Sequence, residues 1–192
     1  MDSLSVLASC LRKEPSLTED EVALICSYFE TVVLEKEEPL FVAGQKFNKL
    51  VFVAEGILRI FIIDVAGNEV VKSFLEAQSF FEDLECMDHN KPSVLNISAV
   101  TDCDLLILSR ASSDDLRSKL PKWGYLMKMG ALDAMHTALR QQEFLRLGDS
   151  TSQYQHFVQN FPNLAKHVPL KYIASYLHIT QSSLSRIRGQ RK

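Results

Sequence analysis

The stretch Leu170-Lys-Tyr-Ile-Ala-Ser-Tyr-Leu-His-Ile-Thr-Gln-Ser-Ser-Leu-Ser-Arg-Ile-Arg188 decides the fold. It reads as two short helices joined by a tight turn. Pro169 is placed as the first helical residue, where its missing N–H costs nothing. Ile173, Ala174 and Leu177 fall on one face at helical spacing. Thr180 offers a hydroxyl cap to a second helix, whose buried side is Leu184 and Ile187. Ala174 is the small residue where the second helix crosses close to the first. The other face of the second helix carries Gln181, Ser182, Ser185, Arg186 and, nearer its end, Arg188. Each of these donates hydrogen bonds and none is acidic.

That arrangement resembles a helix-turn-helix, in which the second helix enters the major groove of DNA. One position departs from the pattern. The turn usually holds Gly where this chain has His178, because the backbone there needs φ > 0; histidine tolerates that region at roughly 1–2 kcal/mol of strain. An ordinary helical hairpin with a basic outer face is the plainer alternative, and the charge distribution argues against it. Residues 151–192 hold six Lys and Arg and no Asp or Glu, whereas the other 150 residues hold 15 basic and 24 acidic side chains. An overall charge of −3 therefore hides a basic terminal module, which attracts phosphates. Arg186 is the first choice for a base or phosphate contact. Gln181, Ser182 and Ser185, at the helix's exposed start, are the candidate base readers, and Thr180 and Ser183 are counted among the DNA-binding residues. Lys171, Arg188 and the Arg191/Lys192 tail are assigned to phosphates, which position without specifying.

The length, 192 residues, has room for one large domain and one small one. The longest apolar runs, such as Ile60 to Ile63, are strand-sized and too short to span a bilayer. The N-terminus lacks a basic region followed by an apolar stretch, so a cytoplasmic protein with no membrane partner is expected. Cys10, Cys26, Cys86 and Cys103 are spaced by 16, 60 and 17 residues, which fits no zinc or iron–sulfur pattern, and buried, inert thiols are expected. There is no G-x-S-x-G, P-loop or G-x-G-x-x-G, and the histidines show no paired ligand spacing. The expectation is a non-enzyme without metal or cofactor.

In chain order, residues 3–12 suit a short helix. A stronger one runs from Leu17 to Phe29, with Thr18 as N-cap and Glu21 in capping-box position. From Thr31 to Leu108 short β-branched and aromatic runs recur: 31–35, 38–43, 49–55, 57–63, 69–75 and 93–108 in two pieces. The loop Asp64-Val-Ala-Gly-Asn68 is a hairpin turn with Gly67 and Asn68 where φ > 0 is needed. Such strands suggest an antiparallel barrel or sandwich. Arg110 to Leu120 is a short helix, and residues 122–147 form the longest helical pattern. One apolar stripe there, Leu126, Met129, Leu132, Met135 and Leu139, is expected to lie on the barrel. The other, with Met127, Ala131, Ala134 and Ala138, suits close approach of a second copy, making a homodimer. Gly148-Asp-Ser-Thr-Ser152 ends that helix. Gln153 to Phe161 is a further helix, stopped by Pro162.

A roll of six to eight strands, a long dimer helix, a hinge and a C-terminal helix-turn-helix is similar to the order in the cyclic-AMP receptor protein/fumarate–nitrate regulator (Crp/Fnr) family. The segments that carry the resemblance are Val53-Ala-Glu-Gly-Ile-Leu-Arg59, Ala99-Val-Thr-Asp-Cys-Asp-Leu-Leu-Ile-Leu108, Tyr154-Gln-His-Phe-Val-Gln-Asn-Phe-Pro162, and Ile173-Ala to Ser185-Arg-Ile187. The resemblance implies an α+β chain with three parts. Residues 1–120 are an antiparallel, cupin-like β-roll of the cyclic-nucleotide-binding type, 121–148 the dimerisation helix, and 149–192 a winged helix-turn-helix domain. It implies a transcription regulator that binds a palindromic double-stranded operator as a homodimer, and it admits RNA polymerase as a further partner.

The resemblance also marks a departure. Members that bind cyclic nucleotides carry Gly-Glu and, about ten residues on, an Arg that neutralises the cyclic phosphate. Here the stretch is Phe81-Glu-Asp-Leu-Glu-Cys-Met-Asp-His-Asn-Lys-Pro-Ser93. Glu82 or Asp83 stands in for the acid, the Gly is absent, and Ser93 or a neighbour replaces the Arg. Lys91 lies at the wrong offset, His89 reads as a solvated loop residue, and Glu85 and Asp88 add further negative charge. The implied effector pocket is Phe74, Phe81, Glu82, Asp83, Ser93 and Val94, taking an unknown small molecule other than cyclic AMP. The cysteine cluster of oxygen-sensing members is missing. The rival reading is a small-molecule-binding β-roll protein whose degenerate helix-turn-helix serves protein interaction.

Overall fold

A computed structural model describes residues 2–83, 86 and 91–189. Glu85, Asp88, His89, Arg191 and Lys192, all singled out above, lie outside the described residues. The chain divides into two compact bodies: Met1–Ile62 with Phe74–Gly124, and Ile63–Ser73 with Tyr125–Lys192.

The first body is built on two four-stranded antiparallel sheets. Strands β1 (Glu30–Leu34), β3 (Lys49–Glu55), β6 (Phe80–Phe81) and β8 (Cys103–Ser109) form one, in the order β1-β8-β3-β6. Strands β2 (Pro39–Phe41), β4 (Leu58–Ile63), β5 (Glu69–Leu75) and β7 (Asn96–Ala99) form the other, in the order β2-β7-β4-β5. Alternation sets the inner faces: Val51, Val53 and Leu105 from one sheet join Leu58, Ile60, Ile97 and Ala99 from the other in a single core with Phe41, Phe47 and Cys86. Gly56 separates β3 from β4 at φ +97°, and a Cβ there would sit 2.4 Å from the Asp102 carbonyl oxygen. Only glycine fits that approach. The two-residue strand β6 is too short for any periodicity to be read in advance.

Helix α1 (Ser3–Leu11) lies against β3 and β8. Helix α2 (Glu19–Cys26) opens on the expected capping box, with Thr18 Oγ1 accepting from the Glu21 amide at 3.3 Å and the Glu21 carboxylate accepting from the Thr18 amide at 2.8 Å. Helix α3 (Arg110–Lys119) follows β8 directly. Trp123 is fully buried and its indole donates to Ser113 Oγ at 3.2 Å.

Helix α4 (Pro121–Leu147) is 27 residues long, about 40 Å at 1.5 Å per residue. Beyond Lys128 it loses its cover: Met129, Leu132, Met135 and Leu139 are 37–53% exposed. Leu126, at the head of that stripe, is half-buried. On the other stripe Met127 and Ala131 are half-buried, and Ala134 and Ala138 are exposed.

The second body continues with α5 (Ser150–Asn160), α6 (Pro162–His167), α7 (Leu170–Tyr176) and α8 (Gln181–Gly189). Asp149 caps α5 by accepting from the Ser152 amide at 2.8 Å, and Gln153 Nε2 donates back to the Leu145 carbonyl at 2.6 Å. Pro162 does more than stop α5. It opens α6 as a first-turn proline, a helix the sequence reading missed because six residues carry too little periodicity. Likewise Pro169 is the N-cap of α7, extended at ψ 140°, and not its first helical residue. Helix α8 is the last element among the described residues. No described helix is long and apolar enough to cross a membrane.

Candidate nucleic-acid interface and effector site

The turn between α7 and α8 is a Schellman arrangement. The Ile179 amide donates to the Ala174 carbonyl at 3.0 Å and the His178 amide to the Ser175 carbonyl at 3.1 Å. His178 is the left-handed residue this requires, at φ +56°. The paired carbonyls of α7 thus fix the direction in which α8 leaves. Ile173, Ala174, Leu177 and Leu184 are all at most 2% exposed and lock the two helices together. Tyr176 is buried beside Phe157, with ring centroids 5.7 Å apart, and its hydroxyl donates to Gln141 Oε1 at 3.3 Å. Burial pushes the Tyr176 phenol up.

Thr180 opens α8. Its Oγ1 accepts from the Ser183 amide at 3.2 Å and lies 2.8 Å from Ser183 Oγ and 3.0 Å from Ser182 Oγ. Thr180 caps the helix as its sequence position predicts, and Ser183, another DNA-binding candidate, is partly engaged in that cap. Gln181, Ser182, Ser185, Arg186 and Arg188 are exposed, while Ile187 is half-buried. The structure brings the polar candidates onto one solvent-facing surface of one helix. Lys171 is exposed at the start of α7, its ammonium 4.5 Å from the Tyr172 ring centroid.

In the roll the structure joins two of the six effector candidates directly. Ser93 Oγ donates to Asp83 Oδ2 at 2.5 Å, with Asp83 8% and Ser93 5% exposed. The Cys86 amide donates to Asp83 Oδ1 at 3.1 Å, and the Leu95 amide to Ser93 Oγ at 3.0 Å. Backbone bonds tie the same residue to the turn that follows β2, from Gly44 N to Ser93 O and from Ser93 N to Gln45 O, both at 2.8 Å. Phe81 packs against the inner core, 6.1 Å from Phe47. Phe74 and Glu82 are half-buried. Val94 is 66% exposed.

Sequence reasoning missed three residues here. Cys86 is buried and its Sγ accepts from the Phe47 amide at 2.9 Å. Arg59 is 5% exposed, donates from Nε to Ser98 Oγ at 2.9 Å and stacks 4.1 Å over the Phe61 ring. Asn96 is buried with Oδ1 accepting from the Ala43 amide at 3.1 Å, and its Nδ2 finds no acceptor among the described residues. The register Arg59↔Ser98 and Phe61↔Asn96 places all four side chains on one face of β4 and β7. A lone arginine in an apolar strand was the available signal. Among the described residues no three His, Cys, Asp or Glu side chains gather as a metal site.

Residues 31–119 match the cyclic nucleotide-binding domain family. The chain is also similar to a curated relative, the cyclic AMP receptor protein of Thermus thermophilus, at 30% identity over 105 residues, which is 55% of this chain and 48% of that protein. The match thus spans about half the length of that relative. Among solved structures, FixK2 from Bradyrhizobium japonicum matches with a TM-score of 0.74 at 14% identity, covering 84% of this chain and 83% of that one. The c-di-GMP-responsive global regulator CLP of Xanthomonas campestris matches with a TM-score of 0.70 at 14% identity, covering 90% and 91%. The fold is that of these structural neighbours, which are Crp/Fnr regulators: an antiparallel roll followed by helices that include a C-terminal helix-turn-helix.

Proposed function

We propose that this chain is a sequence-specific DNA-binding regulator of transcription, acting as a homodimer, whose roll does not take a cyclic nucleotide. The observation that carries the reading is the exposed, acid-free face of α8, aimed by the His178 turn. Gln181, Ser182 and Ser185 read base edges. Arg186 contacts a guanine edge or a phosphate, and Lys171 and Arg188 hold phosphates.

The dimer forms along α4. Leu132, Met135 and Leu139 are spaced three and four residues apart, the a/d spacing of a two-stranded coiled coil. Ala131 and Ala138 lie beside them, and Ala134 adds a further small side chain on the exposed helix. Two recognition helices roughly 34 Å apart then meet half-sites one turn apart in a palindromic operator. RNA polymerase is the partner this regulatory role calls for.

In the roll, the place of a phosphate-binding Arg is taken by Ser93, already committed to Asp83. The effector is therefore a small molecule without a cyclic phosphate. The rival, a roll protein with a helix-turn-helix turned to protein contacts, leaves six cations without one acid after residue 150 unexplained. The experiment is selection of bound sequences from random duplex DNA, followed by titration of the selected site at several salt concentrations. Binding of one palindrome, with log K falling steeply against log salt, is expected. Salt-insensitive binding, or no selected sequence, overturns the reading.

A further inference from the structure

We infer that the β4–β5 hairpin is a second arm of the DNA-binding body, clasped by Ser175, and that it carries changes in the roll to recognition helix α8. The inference rests on the DNA-binding reading above. β5 ends its sheet, so among the described residues one of its edges has no strand to pair with. On any strand, the carbonyl of one residue and the amide two positions on point to the same side. Ser175 Oγ meets both such groups: it accepts from the Val71 amide at 3.0 Å and donates to the Glu69 carbonyl at 3.1 Å. One hydroxyl thus stands in for the missing strand. Val71 is 1% exposed, so the clasp sits beside a sealed contact.

Ser175 occupies a particular place in α7. Its own carbonyl accepts the His178 amide in the turn, and the neighbouring Ala174 carbonyl accepts Ile179. A displacement of β5 therefore moves the residues that set the direction of α8. Gln181, Ser182, Ser185 and Arg186 stay exposed with the clasp closed, so it does not compete with DNA for the same side chains. Its role is positioning, not occlusion.

The hairpin Ile63–Ser73 belongs to the second body, and the same two strands begin and end in the first. Leu58 and Ile60 of β4 are core residues of the roll, and Leu75 of β5 packs against that core. The chain passes between the bodies three times, at 62/63, 73/74 and 124/125, and two of those passages are the arms of this hairpin. A packing change at Ile60 or Leu75 reaches Ser175 along continuous strand.

The test begins without DNA. Ser175→Ala removes both hydrogen bonds at nearly constant size, and amide exchange over residues 64–75 should quicken while β3 and β8 keep their protection. Unchanged exchange there means there is no clasp. The coupling is then read on the selected operator with a double-substitution cycle of Leu75→Ala and Ser175→Ala. Leu75→Ala should shift operator affinity at least about threefold when Ser175 is present and less when it is not. Additive effects overturn the coupling. Ile60→Val serves in place of Leu75→Ala if that variant does not fold. Failure of the unaltered protein to bind DNA would sink the proposed function, whereas the exchange result decides the clasp independently.

Discussion

The Ser93 hydroxyl donates to the Asp83 carboxylate across ten residues of chain, both partners buried in the roll. A cyclic phosphate entering that site loses water around a full negative charge and meets a carboxylate already satisfied by a hydroxyl and the Cys86 amide. A missing charge-paired contact of this kind is on the order of 3–5 kcal/mol, from hundredfold to several thousandfold in affinity. Calorimetry with cyclic AMP and cyclic GMP up to millimolar concentration should show no saturable binding. Micromolar affinity for either would mean that the phosphate sits elsewhere in the roll.

The same pair predicts a stability effect. Ser93→Ala removes one donor from a buried carboxylate and one acceptor from the Leu95 amide. An unsatisfied buried polar group costs about 1–3 kcal/mol. Urea unfolding should show a loss of that size with an unchanged m-value; an unaltered midpoint would contradict the geometry.

His178 should be a place where the protein gains stability from one substitution. The left-handed backbone costs a non-glycine residue about 1–2 kcal/mol, partly offset because glycine also frees the unfolded chain. His178→Gly is expected to raise stability by up to about 1 kcal/mol and to leave operator affinity within twofold. His178→Val, β-branched at the same φ, should lower stability. Equal midpoints for the two variants would be the contrary result.

For DNA recognition, Arg186→Ala should weaken binding to the selected site by about 1–3 kcal/mol while the fold is kept. Lys171→Ala should instead weaken all sequences alike and reduce the salt slope by about one. Competition titrations against scrambled duplex separate the two outcomes. An Arg186→Ala protein that is folded and binds with full affinity would remove that residue from the interface.

Leu132→Glu with Leu139→Glu places charge on the exposed seam of α4. Light scattering should report a dimer for the unaltered protein at micromolar concentration and a monomer for the variant, with operator binding lost. A native monomer would overturn the dimer.

Much of the terminal module was legible because its determinants are local. The spacing of Ile173, Ala174, Leu177, Leu184 and Ile187, a Thr cap and a run free of acids all act within a few residues of chain. The capping box at Thr18 and Glu21 and seven of the eight strands were readable for the same reason. Helix α6 and strand β6 were not, since elements of six and two residues hold no full period of any pattern.

Sequence alone determined the longer helices and strands, where the positive charge gathers and which face of α8 is polar. Periodicity and charge are properties of neighbouring residues, and burial of one face follows from them. Only the tertiary structure decided that Asp83 closes on Ser93, that Arg59 stacks on Phe61 beside Ser98, and that Met129, Leu132, Met135 and Leu139 stay exposed. It also decided that Ser175 fills the edge of a strand 104 residues away from its own position. Those outcomes depend on which segments pair in β1-β8-β3-β6 and β2-β7-β4-β5. Pairings over such separations are set by the fit of whole faces against each other, which no local window of sequence contains.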